Sequence, residues 1–202
     1  MPTPDSAVPA TTTMPVIRAT RIFLRPAERE DLPLFVRWFA DAETTRFLAS
    51  HAPFSLAMEE QWFASMLERQ GKGAFHFVIC LIADGTPIGT AGFDHVNHED
   101  GNASFGISIG EKGEWSKGYG TEALEAICDF GFGQLRLERI ELDVYEPNLR
   151  AQRSYAKAGF VKEGVLRHAH FSEGRFHDVL RMSLLRGEWD ALPRPRSWEI
   201  GA

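Results

Sequence analysis

A glycine-rich segment, residues 115–123 (WSKGYGTEA), has the composition of an anion-binding turn. It follows an apolar, strand-like run and precedes a helical pattern. Because Gly118 and Gly120 have no side chains, backbone N–H groups around them can approach a ligand closely. Free N–H groups at the start of a helix attract anions, phosphates above all. The segment therefore predicts a phosphate-binding site, with a plain loop entering a helix as the alternative.

Two well-known phosphate motifs fit this segment poorly. A Walker A loop has its first glycines at the spacing of Gly113 and Gly118, but Tyr119 and Gly120 occupy the positions of the required Lys and Ser or Thr. The dinucleotide fingerprint matches Gly118, Gly120 and Ala123. Too few β-α units follow to complete that fold, so this match is weak.

Two polar residues further along the chain, Asn148 and Tyr155, have types that suit a cofactor site. A phenol can donate a proton to negative charge that develops in a transition state. By pattern alone, Tyr155 shares an apolar helix face with Ala151 and Ala158, which favours a core position. Asn148 stands at the start of the same helix, where Asn is a typical cap. The residue types leave both interpretations open.

Hydrophobic periodicity indicates the elements that must position these residues. It predicts seven strands, at residues 16–26, 75–83, 87–96, 103–110 and 139–145 and on both sides of a turn at Glu173-Gly174. It predicts four helices, at about residues 32–39, 55–70, 118–134 and 148–158. The order β-α-α-β-β-β-α-β-α-β-β indicates an α/β (α+β) fold with a mixed, mostly antiparallel sheet.

Composition predicts one globular domain with a terminal segment on each side. The chain has 202 residues, of which 44% are apolar and 25% charged, as in ordinary globular proteins. Residues 1–16 are rich in Pro, Thr and Ala and lack the pattern of a core or of a secretory signal. We therefore expect a mobile tail at 1–16, a domain at 17–190 and a second tail at 191–202.

Charge and cysteine usage exclude several classes of protein. A formal charge of −6 argues against binding nucleic acid, which requires a clustered cationic face. The longest uncharged apolar run, residues 75–83, is nine residues, whereas a membrane-spanning helix requires about 20. Cys80 and Cys128 lie in apolar patterns, which is typical of free thiols in a reducing compartment. We expect a cytoplasmic protein without a nucleic-acid or membrane partner.

Three segments in order, residues 103–110 (ASFGISIG), 115–123 and 148–160 (NLRAQRSYAKAGF), resemble the GNAT superfamily of acetyl-CoA-dependent N-acetyltransferases. The resemblance extends over about residues 18–190. It is greatest for the branch that acetylates the N-termini of ribosomal proteins, judged by PIGTAGFD, GYGTEAL and EGVLRHAHFSEGRFHDV. It implies a sheet of about seven strands flanked by four helices, splayed between the fourth and fifth strands to admit acetyl-CoA.

The resemblance also implies roles for individual residues. The amides of the glycine-rich turn would hold the diphosphate of CoA, with Lys117 as an additional charge. Asn148 would bind the cofactor arm, and Tyr155 would donate a proton to the departing thiolate. Where the family often has Gln or Arg, this chain has Trp115. The residues implied to bind the cofactor are Ile107, Ile109, Trp115, Ser116, Lys117, Gly118, Tyr119, Gly120, Thr121 and Asn148.

The acceptor is expected to be a primary amine that attacks the thioester directly. Relatives often have Glu two residues before the glycine of the SFG-like strand, but this chain has Ser104. An α-amine, with an ordinary pKa of about 7.7–8.0, loses its proton more readily than lysine at about 10.4. We therefore expect a weakly basic acceptor such as a protein N-terminus. Asp94, His95 and Glu146 are fallback candidates for a base that acts through water.

Other interpretations remain open at this stage. The acceptor could be a polyamine, amino acid or antibiotic, and a non-catalytic acyl-CoA-binding module is a further alternative. The groove that receives the acceptor is expected in residues 48–54 and 168–175. The spacing of His168 and His170 is too weak to predict a metal, so none is expected. The family resemblance makes a homodimer possible.

Overall fold

The computed structural model describes residues 17–48 and 54–200, and one eight-stranded sheet organises them. The strands are β1 (Ile17–Arg18), β2 (Ile22–Pro26), β3 (Phe75–Leu81), β4 (Pro87–Asn97), β5 (Asn102–Ile109), β6 (Arg139–Tyr145), β7 (Val161–Ser172) and β8 (Arg175–Leu185). The helices are α1 (Leu32–Phe39), α2 (Ala42–Thr45), α3 (Leu56–Arg69), α4 (Tyr119–Gly133), α5 (Leu149–Lys157) and α6 (Arg186–Asp190). The predicted fold class, a mixed sheet flanked by helices, is confirmed.

The sheet divides at its one parallel pair, β5 and β6. The spatial order is β1-β2-β3-β4-β5-β6-β8-β7, and every other neighbouring pair is antiparallel. Pairing between β5 and β6 covers only residues 102–104 with 139–141. Beyond Ser104, β5 continues to Ile109 without β6 beside it, which leaves one backbone edge unpaired. The opening lies between the fourth and fifth predicted strands, as expected.

The numbers of elements correct the prediction of seven strands and four helices. The predicted strand at 16–26 is two strands, because the chain turns back between Arg18 and Ile22 to pair β1 with β2; Val16 lies outside the described residues. Helices α2 and α6 have four and five residues, too few to show a helical period. Helix α2 depends instead on a cap, because the Asp41 carboxylate accepts hydrogen bonds from two of its N–H groups.

Two apolar cores lie on opposite faces of the sheet. Helix α4 covers one face, where Leu124 and Ile127 are fully buried. Helices α1 and α3 cover the other face, where Phe35 is fully buried. On the α4 side, a side chain at Gly131 would meet the ring of Phe93 at 2.8 Å, so only glycine allows the helix to lie this close to the sheet. The close fit fixes the position of α4, whose first turn faces the opening between β5 and β6.

The segment after α6 is held against α4 by a buried carboxylate. Asp129 of α4 is 1% exposed and accepts hydrogen bonds from the indole N–H of Trp189 at 2.8 Å and from the backbone N–H of Ser197 at 2.7 Å. The guanidinium of Arg194 donates to both of its oxygens, at 2.7 and 3.0 Å. These contacts join residues 60 to 68 positions apart and anchor the second half of α4.

Candidate active site

A cleft of about 720 Å³ opens where β5 and β6 separate. Its walls are α2 with residues 46–48, the end of β5, the turn before α4, the end of β6 and the first turns of α5. All the residues predicted for the cofactor and catalysis, except Lys117, line this cleft: Ile107, Ile109, Trp115, Ser116, Gly118, Tyr119, Gly120, Thr121, Asn148 and Tyr155. The fold therefore brings together three segments that are separate in sequence.

The glycine-rich turn has a backbone conformation that exposes its amides. Ser116 and Gly118 have positive φ angles of 62° and 89°, and Gly118 is the residue before the first turn of α4. The first N–H groups of a helix have no acceptor within it, so those of Tyr119, Gly120 and Thr121 are available to a ligand. The positive end of the helix dipole lies at the same place. The turn is thus arranged to bind an anion.

Trp115 links this turn to its two neighbours. Its indole N–H donates to the carbonyl oxygen of Ile109 at 2.7 Å, which ties the turn to the end of β5. The guanidinium of Arg150, in α5, lies over the ring at 4.3 Å. Trp115 therefore replaces the polar residue common in the family with a structural contact, and it keeps Arg150 at the cleft.

A clamp that sequence analysis missed holds the outer side of the turn. The backbone N–H and the Nε of Arg21 both donate to the Glu122 carboxylate, at 2.6 and 2.8 Å. The same guanidinium donates to the carbonyl oxygen of Lys117 at 3.0 Å and lies 4.6 Å from the centre of the Tyr119 ring. Because Arg21 and Glu122 are 101 residues apart, no local pattern signals the contact.

Tyr155 lies in α5 with its ring packed against Phe160, at a centroid distance of 6.1 Å. Burial raises the pKa of Tyr155 to about 12. The phenol is therefore protonated at neutral pH. The neighbouring Ser154 hydroxyl contacts that of Thr121 at 2.7 Å, which fixes α5 against the first turn of α4.

Asn148 has the capping role that its position suggested. Its side-chain oxygen accepts a hydrogen bond from the N–H of Ala151 at 3.2 Å, at the start of α5. The side-chain NH₂ group remains a donor on the lining of the cleft. Capping and a contact with a cofactor are therefore compatible.

The positive charge of the cleft comes from a different place than predicted. Lys117 is not part of the lining, and its ammonium pairs with Glu114 at 3.0 Å. Arg150, Arg153 and Lys157, on α5, line the cleft instead. Their spacing of three or four residues places them on neighbouring turns of the helix, and the sequence pattern contains this signal.

The carboxylates that line the cleft within residues 17–48 and 54–200 all form ion pairs. Glu43 lies 3.3 Å from the ammonium of Lys112, Glu114 pairs with Lys117, and Asp143 lies 2.8 Å from Arg181. Each carboxylate on the described lining of the cleft therefore already has a cationic partner.

The three fallback bases lie away from the cleft lining. Asp94 lies 3.3 Å from the ring of His76 and 3.1 Å from Arg69. The contact with His76 is the larger cause of the lowered pKa of Asp94, and the contact with Arg69 adds to it. His95 and Glu146 are exposed. None of the three lines the cleft, and Asp94 lines a smaller pocket beside it.

A second, smaller pocket of about 190 Å³ lies against the sheet face that α1 and α3 cover. It shares Leu48, Ile107 and Ser108 with the cleft, so the two spaces adjoin at β5. Sequence analysis missed this pocket, because its walls come from five elements that meet only in the folded chain.

The predicted acceptor groove lies partly within the described residues. Of the predicted acceptor groove, residues 49–53 lie outside the described residues, and residues 168–175 form the end of the β7–β8 hairpin. There the ring of His170 stacks on Tyr145 at 3.7 Å. Within the described ranges, no three His, Cys, Asp or Glu side chains group as metal ligands. No helix in those ranges is long and apolar enough to span a membrane.

The splayed sheet, with the glycine-rich turn and Tyr155 on one cleft, agrees with the family resemblance of the sequence. The family model described as an acetyltransferase (GNAT) domain matches residues 21–161, which is more than half of the chain. The protein belongs to the GNAT acetyltransferase family, and it is an acetyl-CoA-dependent N-acetyltransferase.

Individual relatives support this assignment. The uncharacterized N-acetyltransferase p20 of Bacillus licheniformis is 32% identical over 179 residues, which cover 87% of this chain and 99% of the relative. The spermidine N(1)-acetyltransferase of Escherichia coli K12 is 30% identical over 172 residues, with 85% and 89% covered. The crystal structure of spermidine N-acetyltransferase from Vibrio cholerae in complex with CoA and spermine superposes with a TM-score of 0.77 at 26% identity, covering 84% of this chain and 98% of that one.

These relatives bear on two of the sequence expectations. Membership in the family and the presence of enzymatic activity are confirmed, so a non-catalytic module is set aside. The names of these relatives do not show the expected branch, which acetylates ribosomal proteins. Two of the relatives are spermidine acetyltransferases, which fits the alternative of a small-molecule acceptor.

Proposed function

We propose that the cleft binds acetyl-CoA with its diphosphate on the amides of residues 116–121. The exposed N–H groups and the helix dipole support this, because both favour a dianionic group. The pantetheine arm would pair with the free edge of β5 at Ile107 and Ile109, as an added strand does. Arg150, Arg153 and Lys157 would then face the remaining phosphate of the cofactor.

In this arrangement a neutral amine attacks the thioester carbonyl and forms a tetrahedral intermediate. When the C–S bond breaks, the electron pair goes to sulfur, and the Tyr155 phenol donates its proton to that thiolate. The observation that carries the proposal is the position of a protonated phenol on the same cleft as the anion-binding turn. The proton released by the attacking nitrogen passes to solvent, and the Tyr155 phenolate regains a proton from solvent before the next turnover.

We propose a weakly basic primary amine, such as the α-amine of an N-terminus, as the acceptor. The ion-paired state of the carboxylates supports this, because an amine of lower pKa requires less help to lose its proton. A polyamine is the second candidate acceptor, and the sequence identity between this chain and a spermidine acetyltransferase favours it.

Replacing Tyr155 with Phe tests the role of the phenol. We expect kcat to fall about 100-fold or more, as loss of a general acid does, with the Kd of acetyl-CoA unchanged. Thiol release gives the rate, and calorimetry gives the Kd. Tyr145→Phe is the matched control; its ring stacks on His170, and we expect a far smaller loss. Equal losses in the two variants would refute the assignment.

A peptide with a free N-terminus and one internal lysine tests the basicity of the acceptor. Mass spectrometry of the fragments locates the acetyl group. We expect the α-amine to be acetylated faster at neutral pH. Faster acetylation of the lysine side chain would contradict the proposal.

We also propose a cytoplasmic location and retain the homodimer as a prediction. Cys80 and Cys128 are buried free thiols, which a reducing compartment maintains. Light scattering at a series of protein concentrations measures the oligomeric state.

A further inference from the structure

The smaller pocket adjoins the site where the thioester would lie, and this position makes it part of the acceptor site. The pocket and the cleft lie on either side of β5 and share Ile107 and Ser108 from that strand. On the proposed function, the acetyl group ends near this strand. A substituent of the amine that enters the smaller pocket would therefore keep the nitrogen close to the reacting carbon.

Part of the floor of the pocket is a glycine of β5 that faces open space. Gly92 of β4 and Gly106 of β5 are direct partners in the sheet, and both line the pocket. A side-chain carbon built on Gly106 would meet no described atom within 4 Å. A side-chain carbon built on Gly92 would instead meet the backbone oxygen of Phe75 at 2.2 Å, so the open part of the floor lies at Gly106.

The walls above this floor are aromatic. Phe35, Phe39 and Trp62 line the pocket, and the ring of Phe35 lies 6.4 Å from Phe39 and 6.2 Å from Trp62. The volume of about 190 Å³ exceeds that of an apolar cavity of about 150 Å³ that accommodates benzene. The pocket therefore has the size and lining for a branched aliphatic group or one aromatic ring.

The charges near the pocket do not suit a polyamine. Among the described residues, the pocket lining contains one carboxylate, that of Asp94. Arg69 and His76 already contact this carboxylate. The carboxylates of the adjoining cleft are also ion-paired. A polyamine carries several positive charges, whose burial is costly without negative partners.

We propose that the acceptor is a primary amine beside a compact apolar or aromatic side chain, and that the smaller pocket holds that side chain. This inference rests on the proposed function and specifies its acceptor. The α-amine of a residue such as Phe or Leu has this chemistry, either free as an amide or at the start of a peptide.

A panel of four amines tests the proposal with the unmodified protein. We expect kcat/KM for L-phenylalaninamide and L-leucinamide to exceed that for glycinamide by at least about tenfold, the lower end of what burial of such a side chain contributes. We expect spermidine to be poorer than either. Equal rates for phenylalaninamide and glycinamide, or a preference for spermidine, would overturn the inference.

Filling the pocket provides the second test. Gly106→Val should lower kcat/KM for phenylalaninamide about tenfold or more and leave that for glycinamide and the Kd of acetyl-CoA within about twofold. Gly164→Val is the matched control, because Gly164 is also a strand glycine beside open space and lies outside both pockets. Equal losses for both amines in Gly106→Val would contradict a specificity role.

The failures of the two proposals can be distinguished. If spermidine is the best acceptor, the acceptor class is wrong, while the roles of the cleft and Tyr155 are judged separately by Tyr155→Phe. If acetyl-CoA binds and none of the four amines is acetylated, both proposals are wrong.

Discussion

Removal of the buried Asp129 carboxylate should lower the stability of the protein more than single changes at exposed positions. The side chain of Asp129 is 2% exposed and that of its partner Arg194 is 19% exposed. In Asp129→Ala the guanidinium loses both of its bonds to the carboxylate, and the N–H groups of Trp189 and Ser197 lose their acceptor. The variant thus leaves two neutral donors without a partner, and Arg194 keeps only its hydrogen bonds to the carbonyl oxygens of Pro195 and Glu125.

The expected loss in unfolding free energy follows from the cost of breaking a buried ion pair. Breaking a buried ion pair by removing one partner costs about 3–5 kcal/mol, because the remaining charge stays buried. Each neutral donor left unpaired adds about 1–3 kcal/mol where solvent cannot reach it. Since Arg194 retains some contact with solvent, we take about 3–5 kcal/mol as the loss in unfolding free energy.

Urea unfolding followed by tryptophan fluorescence measures this loss by linear extrapolation. Asp190→Ala is the control, because Asp190 is exposed at the end of α6, and we expect a change within about 0.5 kcal/mol. If Asp129→Ala lost less than about 1 kcal/mol, the segment after α6 would not be an anchor of α4, and the reasoning would be refuted.

Two further predictions concern the cleft. Gly118 has a φ of +89°, and in Gly118→Val the new side chain disfavours this conformation by about 1–2 kcal/mol. We therefore expect calorimetry to show about tenfold weaker CoA binding by Gly118→Val and unchanged binding by the control Gly113→Val. Equal binding by both variants would contradict a role for the turn. Because burial raises the pKa of Tyr155 to about 12, the phenol keeps its proton from about pH 6 to about pH 10. The rate should therefore rise as the amine deprotonates and then level off. A decline in this range that Tyr155→Phe abolishes would refute the assignment.

The long elements of the fold could be predicted because their signals are local. Strand β6 has the predicted bounds, residues 139–145, and α4 differs by one residue at each end. Strand β3 ends at Leu81 instead of residue 83, because the turn containing Asp84-Gly85 begins earlier. Strand β1 and helices α2 and α6 are too short for hydrophobic periodicity to indicate them.

The site was predictable to the extent that it follows a motif. The turn, Asn148 and Tyr155 belong to segments with recognisable residue order, and the fold places them on one cleft. The clamp of Arg21 on Glu122 and the walls of the smaller pocket depend on contacts between distant segments. Such contacts have no local signal, so only the structure shows them.

The central claim is that the backbone amides of residues 116–121 hold the diphosphate of acetyl-CoA, so that its sulfur lies beside Tyr155. A crystal structure of the protein with CoA tests it most directly. We expect phosphate oxygens within hydrogen-bond distance of those amides and the sulfur in contact with the phenol oxygen. A cleft that stays empty at saturating CoA, or a sulfur bound away from Tyr155, would contradict the claim.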